Sequence, residues 1–373
     1  MQTQQLTIVS SIGDVNDPKT WSGTPFALKN ALSEQFSKID TINLALPWRW
    51  QRAFGVANKL VGLSEHNSTR AGFGSAALRT LAQLALQRAA KGPVLHFGSG
   101  HFPFLPLKKH KHYLFTDSSA FLETATPNYI RATTQRHREA SKAHEEAMIS
   151  ILKGVFTASH YVTEAFRERF PNTDCIFKPV GTGLGRRFPL NRSKDYENGH
   201  LLFVAKQNFV SKGGVLLLDA FDIARAAAPS LRLVLIGNEH DIWQQPYLTR
   251  MRTTPGIEFH NWNTPDYVSL VAGARLYTGP ALDEPWGIIY LEALALGTPI
   301  LGLRRNAFPE FAREGAFGYI VEAQDARAVA NGILAAIANP ADLERKGRAG
   351  RNWVLEEFQW DRVAERMAEN LKD

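Results

Sequence analysis

The chain has 373 residues, of which 44% are hydrophobic and 21% are charged, a composition typical of a folded globular protein. Because this length exceeds one ordinary hydrophobic core, two domains are expected. A single cysteine, Cys175, excludes an internal disulfide and the C-x-x-C spacing of a zinc site.

The net charge of +7 fits a mildly basic solvated surface, phosphate-bearing ligands or contact with an anionic membrane. Its basic residues are scattered and accompany no nucleic-acid-binding motif, so nucleic acid is not expected as a partner. No apolar run reaches 18 residues, and the N-terminal MQTQQLTIVSS lacks the pattern of a signal peptide. We therefore expect a cytoplasmic protein.

Short apolar runs alternate with helical patterns in the first half of the chain. Helices are predicted at 75–90 and 138–152, among others. Such alternation is typical of a parallel sheet with helices on both faces. The buried strands are predicted at 6–11, 41–47, 94–99, 113–117, 154–159 and 175–180.

A polar stretch with proline, asparagine and glycine, residues 185–199, is the predicted linker. Two βα arrays joined near residue 190 imply an α/β fold of two Rossmann-like domains facing a central cleft, residues 1–190 and 191–359. Ligands bind beyond the carboxyl ends of parallel strands, so this cleft is the expected site. After the linker, strands are predicted at 201–205, 231–237, 257–262, 274–280, 299–303 and 318–321.

Two glutamates, Glu284 and Glu292, lie eight residues apart in the stretch DEPWGIIYLEALALGTPI. Pro285 disfavours helical geometry at Glu284, which is therefore assigned to a loop. A buried helix is predicted to begin near Gly287, because apolar residues cover nearly all of its circumference. Glu292 is then a carboxylate inside a buried helix, which is costly unless it is hydrogen-bonded or meets a ligand.

A helix that begins at Gly287 presents free N–H groups to an anion, with no side chain in the way. A nucleotide diphosphate sugar suits this stretch, since it is anionic in the middle and carries hydroxyls at both ends. Glu292 then holds the ribose, the helix N-terminus a phosphate, and Glu284 the sugar. The alternative is that Glu284 is a solvated loop residue and that Glu292 caps neighbouring backbone groups.

The same stretch resembles the E-x7-E motif of the retaining GT-B glycosyltransferases of family 4, the glycosyl transferases group 1. LLFVAKQNFVSKGGVLLLDAF, LRLVLIGNE, IEFHNW and NAFPEFAREGAFGYIV also fall in family order. Trp360 and the helix after it, 360–373, resemble the segment that packs back onto the N-terminal domain. The resemblance implies a GT-B fold with the acceptor on the N-terminal domain and the donor on the C-terminal one.

The resemblance also implies which residues bind the donor. Lys206 and Lys212 are expected to neutralise the departing diphosphate, although Lys206 stands where the family has arginine and lacks its bidentate fork. No Asp-x-Asp triplet occurs, so fixed cations and helix dipoles are expected in place of a metal. The full implied set is Gly23, Lys206, Lys212, Gly237, Asn261, Glu284, Gly287, Ile288, Ile289 and Glu292.

SSIGDVNDPKTWSGTPFALKNAL resembles the family's first strand and glycine-bearing loop. Gly23 stands in the position of a Gly-Gly pair, which implies that its backbone lies near the donor phosphate. Asp17 and Trp21, with His101 further on, are expected to line the acceptor side. The alternative is an ordinary loop punctuated by proline and glycine.

Many family members have a histidine at a strand end close to the reacting sugar. The matching position here is Asp117, and His96, one strand earlier, is the other catalytic candidate; a structural role is the alternative for each. VLHFGSGHF also resembles the glycine turn of a methyltransferase that uses S-adenosylmethionine, with Asp117 as its ribose-binding acid. That interpretation leaves the C-terminal half unexplained.

The expected function is metal-independent, retaining transfer of a hexose-type sugar from a GDP- or UDP-linked donor to a hydroxyl of a glycan or lipid-linked glycan. Bacterial polysaccharide or lipopolysaccharide synthesis is the expected setting, with no cofactor besides the donor substrate. PWRWQR, 47–52, and the basic helix 79–91 are candidates for peripheral contact with the inner face of an anionic membrane. The competing hypothesis is a non-catalytic GT-B protein that binds a nucleotide sugar or glycan, favoured by the substitutions at Lys206 and Asp117.

Overall fold

The computed structural model describes residues 4–64, 72–102, 110–123, 127–185, 194–241 and 244–372. The chain divides into two compact units, one formed by Met1–Gly185 with Gln359–Asp373 and the other by Arg186–Phe358. Each unit contains a six-stranded sheet, and the strand pairs in both sheets are parallel.

In the N-terminal unit the sheet order is β2-β1-β3-β4-β5-β6. The strands are β1 (Gln5–Ser10), β2 (Lys38–Asn43), β3 (Val94–Phe97), β4 (His112–Thr116), β5 (Gly154–Thr157) and β6 (Ile176–Pro179). The helices are α1 (Thr24–Leu32), α2 (Trp48–Leu60), α3 (Phe73–Ala89), α4 (Ala120–Glu123), α5 (Pro127–Ala132), α6 (Gln135–Ile149), α7 (His160–Arg169) and α15 (Trp360–Leu371).

In the C-terminal unit the sheet order is β12-β11-β10-β7-β8-β9. The strands are β7 (His200–Ala205), β8 (Leu233–Gly237), β9 (Ile257–Asn261), β10 (Ala274–Thr278), β11 (Ile300–Leu303) and β12 (Gly318–Val321). The helices are α8 (Gly214–Ala227), α9 (Leu248–Thr253), α10 (Tyr267–Gly273), α11 (Ile288–Ala295), α12 (Phe308–Ala312), α13 (Ala326–Ile337) and α14 (Pro340–Glu357).

Each predicted strand overlaps an observed one, because strands that are buried on both faces of a parallel sheet consist of continuous apolar runs. The strand predicted at 41–47 is wrong in its bounds and burial: β2 starts at Lys38, ends at Asn43 and lies at the sheet edge, partly exposed. Leu44 and Leu46, which suggested a buried strand, do enter the core, but from the segment after β2. Pro47 then precedes the first residue of α2.

The C-terminal helix α15 packs against α1 in the N-terminal unit. Tyr113 on β4 donates a hydrogen bond from its hydroxyl to the carbonyl of Asn370 at 2.8 Å, and Lys178 on β6 donates to the carbonyl of Arg366 at 2.9 Å. Among the described residues we find no helix whose length and hydropathy would let it span a bilayer.

Candidate functional site

Two loops of the C-terminal unit meet at the carboxyl ends of β7 and β10, which are neighbours in the sheet. The backbone N–H groups of Leu282 and Asp283 both donate to the carbonyl of Ser211, at 2.8 and 3.0 Å. Gly213 has a φ of +80°, and a Cβ there would lie 1.9 Å from the carbonyl oxygen of Pro280. Glycine at 213 therefore permits the close approach of the two loops.

The joined loops bring Lys212 and Glu284 together as an ion pair of partly buried side chains. The N–H of Glu284 donates to the side-chain oxygen of Asn306 at 3.2 Å, which holds its loop from a third strand end. These two predicted site residues are 72 positions apart in sequence. The pairing of β7 with β10 brings them into contact.

Helix α11 begins directly after Gly287, which has a φ of +95°. A Cβ at Gly287 would lie 2.5 Å from the ring of Tyr290 and 3.1 Å from Cγ of Glu284. No side chain caps this helix end, and its first turn, which includes Ile288 and Ile289, contains no acidic residue. An uncapped end of this kind suits an anion, because the helix dipole is positive there.

Glu292 lies inside α11 and is only 9% exposed. The hydroxyl of Tyr267, itself 8% exposed, donates a hydrogen bond to the Glu292 carboxylate. This contact offsets part of the cost of burying the charge. Tyr267 is not predictable from local sequence, since it stands 25 residues before Glu292 and no local spacing links the two residues.

Lys206 follows β7 and places its ammonium nitrogen 4.1 Å from the ring centroid of Trp262. The N–H of Trp262 donates to the carbonyl of Gly237 at 2.6 Å, so the ends of β8 and β9 are joined here. Asn261 donates from its side-chain amide to Glu239 at 3.3 Å. The predicted residues Lys206, Gly237 and Asn261 thus share one edge of the sheet, with Trp262 as a cation–π partner that the sequence analysis missed.

Asp283 directly precedes Glu284 in the loop after β10 and is partly buried. Its burial, together with the repulsion from Glu284, raises the pKa of the Asp283 carboxyl to about 6, although Arg305 and Lys212 act in the opposite direction. This carboxyl therefore changes charge near neutral pH. The sequence offered no signal for it, because the shift arises from burial.

The loop after β1 carries three of the residues predicted for the N-terminal unit. Trp21, Ser22 and Gly23 have positive φ values of 43°, 57° and 84°, and the first two are non-glycine residues in a strained region. The ring of Trp21 packs edge-on against Phe115 at 5.7 Å. Asp17 is exposed, and its carboxylate accepts a hydrogen bond from the N–H of Lys19 at 2.9 Å.

His96 and His101 lie in the core of the N-terminal unit, with no exposed surface. His96 is hydrogen-bonded to His101 at 2.8 Å and to His112 at 3.1 Å, and His101 reaches the hydroxyl of Ser11 at 3.1 Å. Burial lowers the pKa of His96 well below its usual range, that of His101 to about 3 and that of His112 to about 4. The three rings are therefore neutral at physiological pH.

Asp117 directly follows β4 and is half-buried, so of the candidates from β3 and β4 it alone has accessible surface. The roles predicted for His96, His101 and Asp117 stay predictions. Among the residues that the structure describes, no cluster of three or more His, Cys, Asp or Glu side chains is arranged to hold a metal ion.

Two units, each with a parallel six-stranded sheet, are the architecture of the GT-B glycosyltransferase fold, and solved structures of that fold are similar to this chain. Sucrose-phosphate synthase from Thermosynechococcus elongatus has this fold, with a TM-score of 0.70, 16% identity and coverage of 99% of this chain and 98% of that one. WaaG, a glycosyltransferase involved in lipopolysaccharide biosynthesis, gives a TM-score of 0.66 at 14% identity, covering 98% and 99%. The GT-B prediction is confirmed.

Residues 198–339 match the model of the family described as Glycosyl transferases group 1, so the resemblance is confirmed over this range. This chain is 30% identical over 178 residues to the GDP-mannose-dependent alpha-(1-6)-phosphatidylinositol monomannoside mannosyltransferase of Mycolicibacterium smegmatis. The match covers 43% of this chain and 44% of that protein, so the chain spans less than half the length of this relative.

Proposed function

We propose that this chain is a glycosyltransferase that uses a nucleotide diphosphate sugar as donor. The observation that carries the proposal is the contact of Lys212 with Glu284 just before the uncapped end of α11, with the buried carboxylate of Glu292 inside the same helix. A cation and helix N–H groups with one carboxylate on either side match a ligand with a diphosphate between two hydroxyl-bearing sugars.

In the proposed complex the donor takes the place of the ion pair. Lys212 leaves Glu284 and binds a phosphate oxygen. Glu284 then binds hydroxyls of the sugar. Since the ligand supplies both an anion and hydroxyl donors, neither side chain loses a partner. Lys206, with the N–H groups of Ile288 and Ile289, completes the contacts to the diphosphate.

The nucleoside occupies the other end of the proposed site. Glu292 accepts hydrogen bonds from the ribose hydroxyls, while Tyr267 holds its carboxylate in place. Backbone groups near Gly237 and Asn261, at the ends of β8 and β9, contact the base. A GDP- or UDP-linked hexose is the proposed donor, and the relative from Mycolicibacterium smegmatis is named as GDP-mannose-dependent.

The proposed reaction retains the configuration of the anomeric carbon. The bond between that carbon and the β-phosphate oxygen breaks, and the acceptor hydroxyl attacks the oxocarbenium-like centre from the same face. The hydroxyl proton passes to the departing β-phosphate oxygen. Lys206, Lys212 and the N-terminus of α11 stabilise the charge that develops on the diphosphate, which is electrostatic preorganisation and assigns no step to a metal.

The acceptor is proposed to bind the N-terminal unit, with Gly23 near the donor phosphate and Asp17, Trp21 and Asp117 around the acceptor hydroxyl. A bacterial glycan or lipid-linked glycan, made at the cytoplasmic side of the membrane, is the proposed product class. His96 and His101 are buried behind these positions, and their proposed contribution is to hold the loop after β1 through Ser11.

The second candidate is a GT-B protein that binds a nucleotide sugar without transferring it. The contact of the Lys206 ammonium with the Trp262 ring favours this candidate, because catalysis needs that cation at the diphosphate and the ring holds it in a cation–π contact. Release of free nucleotide from the sugar conjugate separates the two, since only a transferase hydrolyses its donor in the absence of an acceptor.

The test is a thermal-shift screen against UDP, GDP, ADP, their sugar conjugates and S-adenosylmethionine, repeated with Glu292→Ala. A ligand at 100 times its dissociation constant adds about 2.7 kcal/mol to stability. We expect one nucleotide series to stabilise the wild type and the control Glu356→Ala, an exposed glutamate on α14, but not Glu292→Ala. A shift with S-adenosylmethionine alone, or an unchanged response of Glu292→Ala, would overturn the proposal.

A further inference from the structure

Exposed apolar side chains concentrate on helices α2 and α3 of the N-terminal unit. Of the twelve large apolar side chains that are exposed among the described residues, eight lie on these helices or the turn after α2. Scattered exposed apolar residues are normal, whereas a cluster of this kind marks an interaction surface. The most exposed are Trp48 (65%), Trp50 (57%), Val56 (52%) and Leu60 (84%), with Leu81 (44%) and Leu84 (46%) beside them.

The same two helices carry positive charge alone. Neither α2 nor α3 contains an aspartate or glutamate, and together they hold five cations. Within the described part of the chain, none of the five forms an ion pair with a carboxylate, although the Arg49 guanidinium lies 5.8 Å from the ring centroid of Trp48. The five are Arg49, Arg52, Lys59, Arg79 and Arg88.

Apolar and basic groups share one side of α2. Trp48, Arg52, Val56 and Leu60 recur at every fourth residue and are all exposed, whereas Asn58 is buried on the opposite side. α2 packs against α3, so the exposed sides of the two helices belong to one unit. We call the exposed residues of these two helices the α2–α3 face.

We propose that the α2–α3 face docks on the surface of an anionic lipid bilayer. Charge complementarity favours this occupant, because a face with four exposed cations and no carboxylate suits a partner that is negative across its whole extent. Exposed indole rings suit the same partner, since tryptophan prefers the boundary between headgroups and acyl chains. Trp48 enters that boundary together with Val56 and Leu60 on the same side of α2, and the cations remain with the lipid phosphates.

This inference does not depend on sugar transfer, because lipid binding is measured without a donor or acceptor. Under the proposed function it has a consequence: a chain held at the bilayer meets lipid-linked acceptors at the membrane surface. If the chain binds vesicles but no nucleotide stabilises it, the transferase proposal fails and the membrane proposal stands. If a nucleotide stabilises the chain but vesicles do not bind it, the membrane proposal alone fails.

The test is sedimentation of the full chain with extruded vesicles of phosphatidylcholine alone and of phosphatidylcholine with 30% phosphatidylglycerol. We expect binding to the anionic vesicles that weakens as salt is added. Arg49→Gln and Arg52→Gln should each lower the partition coefficient about fivefold. Trp48→Ser should weaken binding and reduce the blue shift of tryptophan emission.

Matched controls lie outside the face. Arg327→Gln removes an exposed cation of the C-terminal unit, and Ile176→Ser removes an exposed apolar side chain at the edge of the N-terminal sheet. Both controls should bind vesicles as the wild type does, whereas Leu60→Ser should bind less, with an unchanged melting temperature in each case.

Three results would overturn the proposal. The first is equal binding to neutral and anionic vesicles, and the second is binding that the α2–α3 substitutions leave unchanged. The third is a concentration-dependent dimer, detected by light scattering without lipid, that Leu60→Ser dissociates; the face is then an interface between two copies of this chain.

Discussion

Replacing Tyr267 with phenylalanine removes the hydroxyl that donates a hydrogen bond to the Glu292 carboxylate. Both side chains are less than 10% exposed, so water does not readily replace the lost donor. A hydrogen bond to a charged group contributes about 1.5–3 kcal/mol to stability. For a unit of this size each kcal/mol shifts the melting temperature by roughly 2–4 °C, so we expect a fall of about 3–12 °C.

Nucleotide affinity should change little when Tyr267 is replaced and fall strongly when Glu292 is replaced. In Tyr267→Phe the ribose hydroxyls still find the carboxylate, so the dissociation constant should stay within about threefold of the wild type, less than 1 kcal/mol. In Glu292→Gln the charged acceptor is lost, and affinity should fall by roughly 10–150-fold, the equivalent of about 1.5–3 kcal/mol. Scanning fluorimetry measures the stability and isothermal titration calorimetry the affinity.

The matched control is Asp342→Asn, since Asp342 accepts a hydrogen bond from Tyr319 at 2.8 Å in the same unit. The Asp342→Asn variant should be less stable than the wild type and should keep the wild-type affinity for nucleotide. If Glu292→Gln behaves like this control, Glu292 stabilises the fold and does not bind the nucleotide. A fall of less than about 1 °C in Tyr267→Phe would show that the hydrogen bond contributes little.

Three further predictions concern pH and backbone geometry. The affinity for a nucleotide sugar, whose diphosphate does not titrate near neutrality, should rise as the pH falls through 6, because the Asp283 carboxyl with its pKa of about 6 loses its charge; calorimetry at pH 5.5 and 7.5 measures this. Gly287→Ala should lose more than about 1 kcal/mol in urea denaturation, since its Cβ meets the Tyr290 ring at a φ of +95°. Stability should fall from pH 6.5 towards pH 4 by on the order of 1 kcal/mol per pH unit for each of His101 and His112, because the unfolded histidines with pKa 6.5 bind protons and the buried rings stay neutral; urea denaturation at pH 7 and 5 measures this.

Each of these predictions has a control or a contradicting result. Asp283→Asn should abolish the pH dependence of affinity, and a wild type without that dependence would contradict the placement of the diphosphate beside this loop. Gly185→Ala, at a position where a Cβ meets no atom within 4 Å, should leave stability unchanged. His112→Gln should make the fall in stability between pH 7 and 5 smaller, and an equal fall would assign it to other groups.

Much of the architecture could be predicted from local sequence. The runs LLFVA and LVLIG are fully apolar because β7 and β8 lie in the middle of a covered parallel sheet, and their bounds were predicted within two residues. The start of α11 was predictable from Pro285, which disfavours helical geometry at Glu284, and from Gly287, which leaves the helix N-terminus open. β2 was misplaced because apolar residues after it also enter the core, and a local pattern does not distinguish a buried strand from a buried connection.

The sequence by itself determined the fold class and the two glutamates with their cations. The tertiary structure decided which side chains meet: Tyr267 with Glu292, Lys206 with Trp262, and His101 with Ser11 in the loop after β1. It also decided the charge state of Asp283, which depends on burial. The physical reason is that strand order and register bring distant residues together at one sheet edge, and no short stretch of the chain encodes that order.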